Sequence, residues 1–394
     1  MSAKVIQEEV RSMAVSWRDR VAMTLTNGIV EATLLAGGGH LARYGFAAGH
    51  GPSQQNVLWE APWRTGDPGS LEHAAIVEEL GDQVAGGFLA SYTGHALCLD
   101  GFGPASAEES AAGGSLHGEA PNAMWTFVVQ GAGAASAIVE LPLAGLRVER
   151  QFSLFADEGI LRVEESVTNL CATARALHWV QHATFGGLLD RRTRATASVR
   201  NGMTWPLDYG GCNLLKRDAP FTWPYAPGAD GGSIDLRELF TKRGSGFVAA
   251  AHQAAGREYG FVAACHPTVG LAVGYLFRAA HFPWVTVWEE NCARCDTPWH
   301  GCTQARGMEF GTTPLPLGND VVDARGPLLG SSTSRDIGAH ETLHAPWLLF
   351  VAEIPCDWLE IEDVRVEADE IVLMHESEHV RVKARGVASF LGER

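Results

Sequence analysis

Three short segments of this 394-residue chain place ionisable side chains among glycine, proline and aromatic residues. They are Ser115-Leu116-His117-Gly118-Glu119, Val180-Gln181-His182-Ala183-Thr184-Phe185-Gly186-Gly187 and Arg306-Gly307-Met308-Glu309-Phe310-Gly311. A histidine and a carboxylate brought together supply a general acid and a general base, each worth roughly 10²–10⁴ in rate. Taken singly, a histidine on a strand is usually structural and a glutamate is usually a solvated charge. Glu309 departs from that rule because it lies between Met308 and Phe310. An alternation of period two sends those two apolar side chains to one face and the carboxylate to the other. The same alternation puts His182 on a face with His178 and Val180, opposite Trp179 and Gln181. Phe185-Gly186-Gly187 then ends the strand, and a histidine at a strand end beside a loop is well placed for a site.

A second constellation is Cys292-Ala293-Arg294-Cys295 followed by Trp299-His300-Gly301-Cys302. Its three cysteines and one histidine match the donor types of a four-ligand zinc site, though the spacing is more compact than two usual knuckles. Pro298-Trp299 in its middle fits equally well a loop lying over a pocket. Trp288, Glu290 and Asn291, on the strand entering this loop, suit a small ligand with one apolar face and several hydroxyls: an indole stacks on the former, while carboxylates and amides hold the latter. His40, after three glycines, could reach a pocket or cap a turn, and His252, His266 and His281 have no recognisable partner.

The elements that must position these groups are strands. Two alternating runs from Val21 to Leu35 flank Asn27-Gly28, a dipeptide suited to the positive φ angles of a tight hairpin. A second pair runs over Leu146–Phe155 and Ile160–Thr168 around a turn at 156–159. Further strands are expected at 176–184, 246–252, 259–265, 270–277, 284–290, 347–353, 370–375 and 379–384. Short helices fit 4–16 and 105–112. Many short strands with glycine- and proline-rich joints describe an all-β protein of sheets packed face to face. Segments 47–75 and 203–237, the latter with Trp205, Trp223 and Tyr225, are too aromatic for idle linkers and are expected to line a pocket. No linker divides the chain, so one domain is expected over 1–394, with 1–20 as an N-terminal extension.

Composition narrows the function classes. The chain is 46% hydrophobic and 19% charged, with a formal net charge of −16 and no Lys/Arg run of the kind nucleic acid or anionic lipid requires. The N-terminus lacks the apolar stretch of a secretory signal and no later run suits a membrane span, which predicts a cytoplasmic protein with its eight cysteines reduced.

The order of a His-Gly segment, a histidine strand after a strand pair, and a glutamate on a late strand resembles the aldose 1-epimerase family of the galactose mutarotase-like superfamily. The resemblance spans residues 20–385 in element order, with motif identity confined to short patches. Leu35-Ala36-Gly37-Gly38-Gly39-His40-Leu41 looks like the family's glycine-rich second strand. Asn56-Val57-Leu58-Trp59-Glu60 and Ala61-Pro62-Trp63 look like a branch apart from the best-known galactose enzymes. Leu116 stands where the family usually has a polar residue before its histidine, and Ala183-Thr184-Phe185 replaces an aromatic-Asn-Leu run.

The resemblance implies a β-supersandwich of antiparallel sheets whose concave face holds a monosaccharide. It makes Glu309 the base at the anomeric hydroxyl, His182 the acid at the ring oxygen, and His117 a helper at the polar end of the sugar. Arg306, in the segment of Glu309, joins His40, Trp288, Glu290 and Asn291 as an expected sugar contact, with Asp235 set against the family's substrate-binding aspartate. The chemistry implies no metal and no cofactor, and the rate should be bell-shaped in pH with the carboxylate on the acid limb. A monomer or homodimer is expected. Two other readings remain: a non-catalytic carbohydrate-binding protein, since fold does not fix function, and a metal-dependent sugar isomerase using the His and Cys residues.

Overall fold

In a computed structural model describing residues 11–81, 85–187 and 189–392, antiparallel strands dominate the chain. The first hairpin joins Arg20–Thr26 to Val30–Leu35. Gly28 takes the positive φ, 84°, and Asn27 caps the turn by accepting the N–H groups of Ile29 and Val30 on Oδ1, both at 3.0 Å. The second expected pair is Leu146–Leu154 against Ile160–Asn169. The expected helix at 105–112 is Ala107–Ala111, opened by a capping box between Ser106 and Glu109.

Three expectations are corrected. Residues 11–16 of the expected 4–16 helix lie in a strand, Arg11–Trp17, paired with Arg20–Thr26, and the remainder lies outside the described residues. The glycine run 37–39 is the turn between Val30–Leu35 and Leu41–Phe46 rather than a strand. The aromatic segment 47–75 ends in a helix, Leu71–Leu80, capped by Ser70 accepting from the His73 N–H.

Among the described residues, thirteen strands form one antiparallel sheet and nine form a second. The centre of the larger sheet carries the chemistry. Its strands are β1 (His95–Leu99), β2 (Trp179–Phe185), β3 (Ser245–Gln253), β4 (Trp284–Asn291) and β5 (Gln304–Gly311), side by side in the order β1-β2-β5-β4-β3. One face of these strands packs on the second sheet: Phe310 stacks on Phe277 with ring centroids 4.3 Å apart and meets Tyr275 at 5.3 Å.

A polar cluster is sealed between the two sheets behind β2. Gln181 Oε1 accepts from His95 Nε2 at 2.9 Å and from an Arg150 Nη at 3.1 Å. Glu165 pairs with Arg150 and accepts from the Trp179 indole and the Gln181 amide. Tyr275 Oη, 3.1 Å from His95 Nδ1, completes it. A third layer, the small sheet of Asp363–Glu367, Glu370–His375 and Glu378–Lys383, covers the far side of the second sheet through Ile371 and Leu373. No helix among the described residues is long and apolar enough to cross a membrane.

Candidate active site

The open face of the larger sheet holds the chemistry. β2 and β5 run antiparallel with Gln181 paired to Phe310 and Thr184 to Gly307, a register that sets His182 directly opposite Glu309. Odd-numbered residues of β5 face away from the second sheet and even ones face toward it, as the alternation of Met308, Glu309 and Phe310 predicts. His182 Nε2 and Glu309 Oε1 lie 3.4 Å apart, with the residues 5% and 3% exposed. Gly307 makes this geometry feasible: a Cβ there would meet Glu309 Oε1 at 2.6 Å and the Trp288 side chain at 3.2 Å.

His182 is held from behind. Its Nδ1 is 3.0 Å from Tyr92 Oη and 3.3 Å from Thr184 Oγ1, and the two hydroxyls make a short contact with each other. His117, at a positive φ of 66° after the loop from Gly101, lies edge-on to His182 with centroids 5.0 Å apart. Its Nδ1 accepts the Gly103 N–H at 3.3 Å. His117, His182, Glu309 and Trp288 line one cavity of about 370 Å³, walled by Phe88, Tyr92, Trp205 and Trp299, with Arg294 and Asp296 in its lining. A larger hollow of about 650 Å³ beside Arg200 and His252 has no facing acid–base pair.

Burial acts on both members of the pair and favours their uncharged forms. It pushes the Glu309 carboxyl well above the usual carboxylate range and lowers His182 to about 4. Burial also lowers His117, and the charges of His182 and Arg294 add to that.

The cysteine segment is the loop over the cavity. Arg294 sits among the rings of Trp299, Tyr209 and Trp288, its guanidinium carbon 4.7, 4.8 and 5.7 Å from their centroids. Cys292 is buried while Cys295 and Cys302 are exposed, with their thiols near the carbonyls of Ala293 and Trp299. Among the described residues, no three His, Cys, Asp or Glu side chains are grouped to hold a metal ion.

Five expected sugar contacts lie elsewhere, each for a visible reason. His40 is fully buried behind Tyr92, both ring nitrogens unpartnered, and does not reach the cavity. Glu290 is spent on structure: it accepts from Tyr209 Oη at 2.8 Å and from the backbone N–H groups of Ala293 and Arg294, anchoring the covering loop. Asn291 accepts from Gln304 Nε2 at 2.8 Å at the end of β4. Arg306 is fully buried, pairs with Glu289 and donates to the carbonyls of Leu236 and Glu238 at 2.8 Å. Asp235 is locked to Arg237, at 2.7 Å, outside the cavity.

Sequence reasoning did not single out Tyr92, Phe88, Arg294 or Asp296. Tyr92 follows the helical turn Gly86–Leu89 and touches a histidine ninety residues later, a proximity that no local pattern announces. The two aromatic loops were legible as wall material. Trp205 lines the cavity, and Trp59 and Trp63 back it by contacting Tyr92 and Trp299, whereas Trp223 and Tyr225 do not line it.

No protein-family model and no curated protein sequence matches this chain. Solved structures do match. One from Klebsiella pneumoniae, described as a candidate aldose 1-epimerase, has a TM-score of 0.61 at 14% identity, covering 88% of this chain and 83% of its own. A galactose mutarotase-like protein from Clostridium acetobutylicum has a TM-score of 0.55 at 13% identity, covering 88% and 98%. A galactose mutarotase related enzyme from Lactobacillus acidophilus has a TM-score of 0.54 at 12% identity, covering 85% and 98%. At these identities the likeness speaks for architecture, and the chain has the galactose mutarotase-like fold of packed antiparallel sheets.

Proposed function

We propose that this protein is an aldose 1-epimerase, exchanging the α and β anomers of a free monosaccharide with Glu309 and His182 as its proton-transferring pair. The observation that carries this reading is their convergence, 3.4 Å apart and buried, in a cavity walled by aromatic rings. Opening a pyranose requires the anomeric hydroxyl to lose a proton and the ring oxygen to gain one as the C1–O5 bond breaks. Both oxygens sit on one carbon, so a base and an acid standing side by side serve them together. Glu309 takes the proton from the anomeric oxygen while His182 gives its Nε2 proton to the ring oxygen. The aldehyde then turns about its bond to the next carbon, and the reverse transfers close the ring on its other face. Trp288 and Trp299 offer ring surfaces to the sugar, and His117, with Nδ1 held by Gly103, offers its other nitrogen to a hydroxyl.

The burial shifts revise the expected pH dependence. Ionised Glu309 with protonated His182 and neutral Glu309 with neutral His182 contain the same number of protons, and the pair titrates as a unit. The acid limb begins where a further proton is added, near the His182 value of about 4. The alkaline limb begins where the last shared proton leaves, set by the raised carboxyl of Glu309. This is the reverse of the assignment expected from the sequence.

The test is polarimetry on freshly dissolved α-glucose, α-galactose and a panel of other aldoses across pH. Acceleration of at least one aldose, with a bell-shaped profile, is expected. Acceleration of none would make the cavity that of a carbohydrate-binding protein instead.

A further inference from the structure

The lateral order of the strands gives the cavity two unlike flanks. Across the open face the strands follow as β1, β2, β5, β4 and β3, so His182 on β2 stands between Glu309 on β5 and whatever covers β1. On the Glu309 side the lining continues with Trp288 on β4 and Val248 on β3. On the other side β1 sets only the small Ala96 opposite His182. That flank is built by Phe88 and His117, whose rings pack on each other with centroids 4.8 Å apart and lie 6.0 and 5.0 Å from the His182 ring. Their neighbours in the chain, Leu89 and Leu116, also line the cavity and pack in one apolar cluster with Phe88 and Ala96. Phe88 and Leu89 are buried, while Leu116 is half-buried.

This asymmetry falls on a particular part of a sugar. In the proposed reaction Glu309 serves the anomeric hydroxyl and His182 the ring oxygen. A pyranose is bonded in the order O1, C1, O5, C5, C6, so the direction from Glu309 to His182 continues through C5 to C6. The group carried by C5 therefore comes against Phe88, Leu89 and Leu116. Their side chains offer a hydroxyl no partner, and the carbonyls of Phe88 and Leu89 already accept from the Tyr92 N–H and the Trp63 indole. His117 is the polar side chain of this flank; Gly103 occupies its Nδ1, and its other nitrogen serves the hydroxyl on C4, the carbon next to C5. Arg294 sits over Trp288, on the Glu309 side. A hydroxyl on C6 would give up water without replacement, which weakens binding, whereas a methyl group there gains from burial.

We propose that the cavity selects 6-deoxyaldoses, sugars whose exocyclic carbon is a methyl group, and that Leu116 sets this preference. The inference rests on the proposed placing of the anomeric hydroxyl at Glu309 and of the ring oxygen at His182. Leu116 is the specificity-determining member of the flank because it is the half-buried one, whose exchange for a polar side chain leaves Phe88 and Leu89 in the core. The five polar residues that would have served a hydroxyl-rich hexose agree with this: His40, Glu290, Asn291, Arg306 and Asp235 are all turned away from the cavity. An apolar pocket rejects one added hydroxyl by roughly 10²-fold, so the expected behaviour is a graded preference and not exclusion of the parent hexose.

The experiment uses matched pairs of sugars that differ only in the C6 hydroxyl: 6-deoxy-D-galactose and D-galactose, 6-deoxy-D-glucose and D-glucose, 6-deoxy-L-mannose and L-mannose. Affinity is read from the fluorescence of the tryptophans that line the cavity, and anomer exchange from NMR saturation transfer. In the best-bound pair the 6-deoxy member should bind roughly 10- to 100-fold more tightly, with kcat/KM favouring it by a similar factor. Leu116→Asn gives the C6 hydroxyl a partner, and the ratio within that pair should move toward the parent hexose by about 10-fold. A ratio within one protein does not depend on how much of it is folded, and the wild-type pairs decide alone if the variant does not fold. Equal affinities, a tighter parent hexose in the best-bound pair, no binding of any member, or an unmoved ratio in folded Leu116→Asn would each overturn the inference. Preferential binding of the 6-deoxy sugar without anomer exchange would sink the proposed function and leave the preference standing. Exchange of a parent hexose as fast as its 6-deoxy partner would do the reverse.

Discussion

Glu309 is the residue on which function and stability pull apart. Its carboxyl is buried among groups that do not offset its charge, so its folded pKa lies above the unfolded one. The folded state then holds a proton that the unfolded state releases. Its contribution to stability is complete below the unfolded value, near pH 4.5, and declines as pH rises toward the folded value. His182 has the opposite sign: its folded pKa is depressed, so its contribution is present above pH 6.5 and declines as pH falls toward 4. Glu309→Gln removes only the first effect. At pH 8 the variant should be more stable than wild type by about 1 kcal/mol or more, or ~1 °C or more in Tm, with the gap closing toward pH 5. Thermal unfolding at the two pH values measures this, and a gap that does not change with pH would mean that Glu309 ionises freely in the folded protein. Among the catalytic and sugar-contact residues named from sequence, those that reach the cavity are Glu309, His182, His117 and Trp288. Arg306 failed by a rule already in hand, since the alternation that turns Glu309 outward turns Arg306 inward with Met308 and Phe310. His40 failed because the ring it packs behind, Tyr92, comes from a distant segment, and Asp235 because Arg237, two residues on, takes its carboxylate.

At the scale of elements, the site depends on how closely β5 and β4 approach. Gly307 leaves the space into which the Glu309 carboxylate folds, beside Trp288. Gly307→Ala should push that carboxylate out of line with His182, and a misplacement near 1 Å is enough to lower turnover by about 10²-fold. The strand itself should tolerate the change, because alanine has the better intrinsic fit to extended backbone. The informative outcome is a Tm close to wild type with turnover largely lost; an active Gly307→Ala would show that the carboxylate position is not critical. The strands were legible because period two and turn chemistry are local signals: 370–375 was read to the residue, and 246–252 within two residues of either end. The covering loop was legible only as a loop. Its tie to the sheet runs through Glu290, whose partners Tyr209, Ala293 and Arg294 could not be paired with it from spacing alone.

Across the whole molecule, two large sheets clamp a polar cluster directly behind the strand that presents His182. Glu165 is its hub, receiving Arg150, Trp179 and Gln181 with almost no exposure to water. Glu165→Ala strands a buried guanidinium and should destabilise the fold by ~3–5 kcal/mol, measurable in denaturant titration, whereas an exposed pair would change by less than about 1 kcal/mol. A small loss would place the cluster outside the cooperative core. The all-β architecture was readable from strand density and joint composition, but the order of strands was not: β1, β2, β5, β4 and β3 are neighbours through crossovers that leave no periodic trace. That order is what brings a histidine and a glutamate 127 positions apart in sequence into register. The most direct test of the pairing compares anomer exchange by NMR saturation transfer in wild type, Glu309→Gln and His182→Gln, using an aldose that the wild type accelerates. The account predicts turnover lower by roughly 10²-fold or more in each variant, with sugar affinity largely kept. Glu309→Gln turning over at the wild-type rate would contradict it.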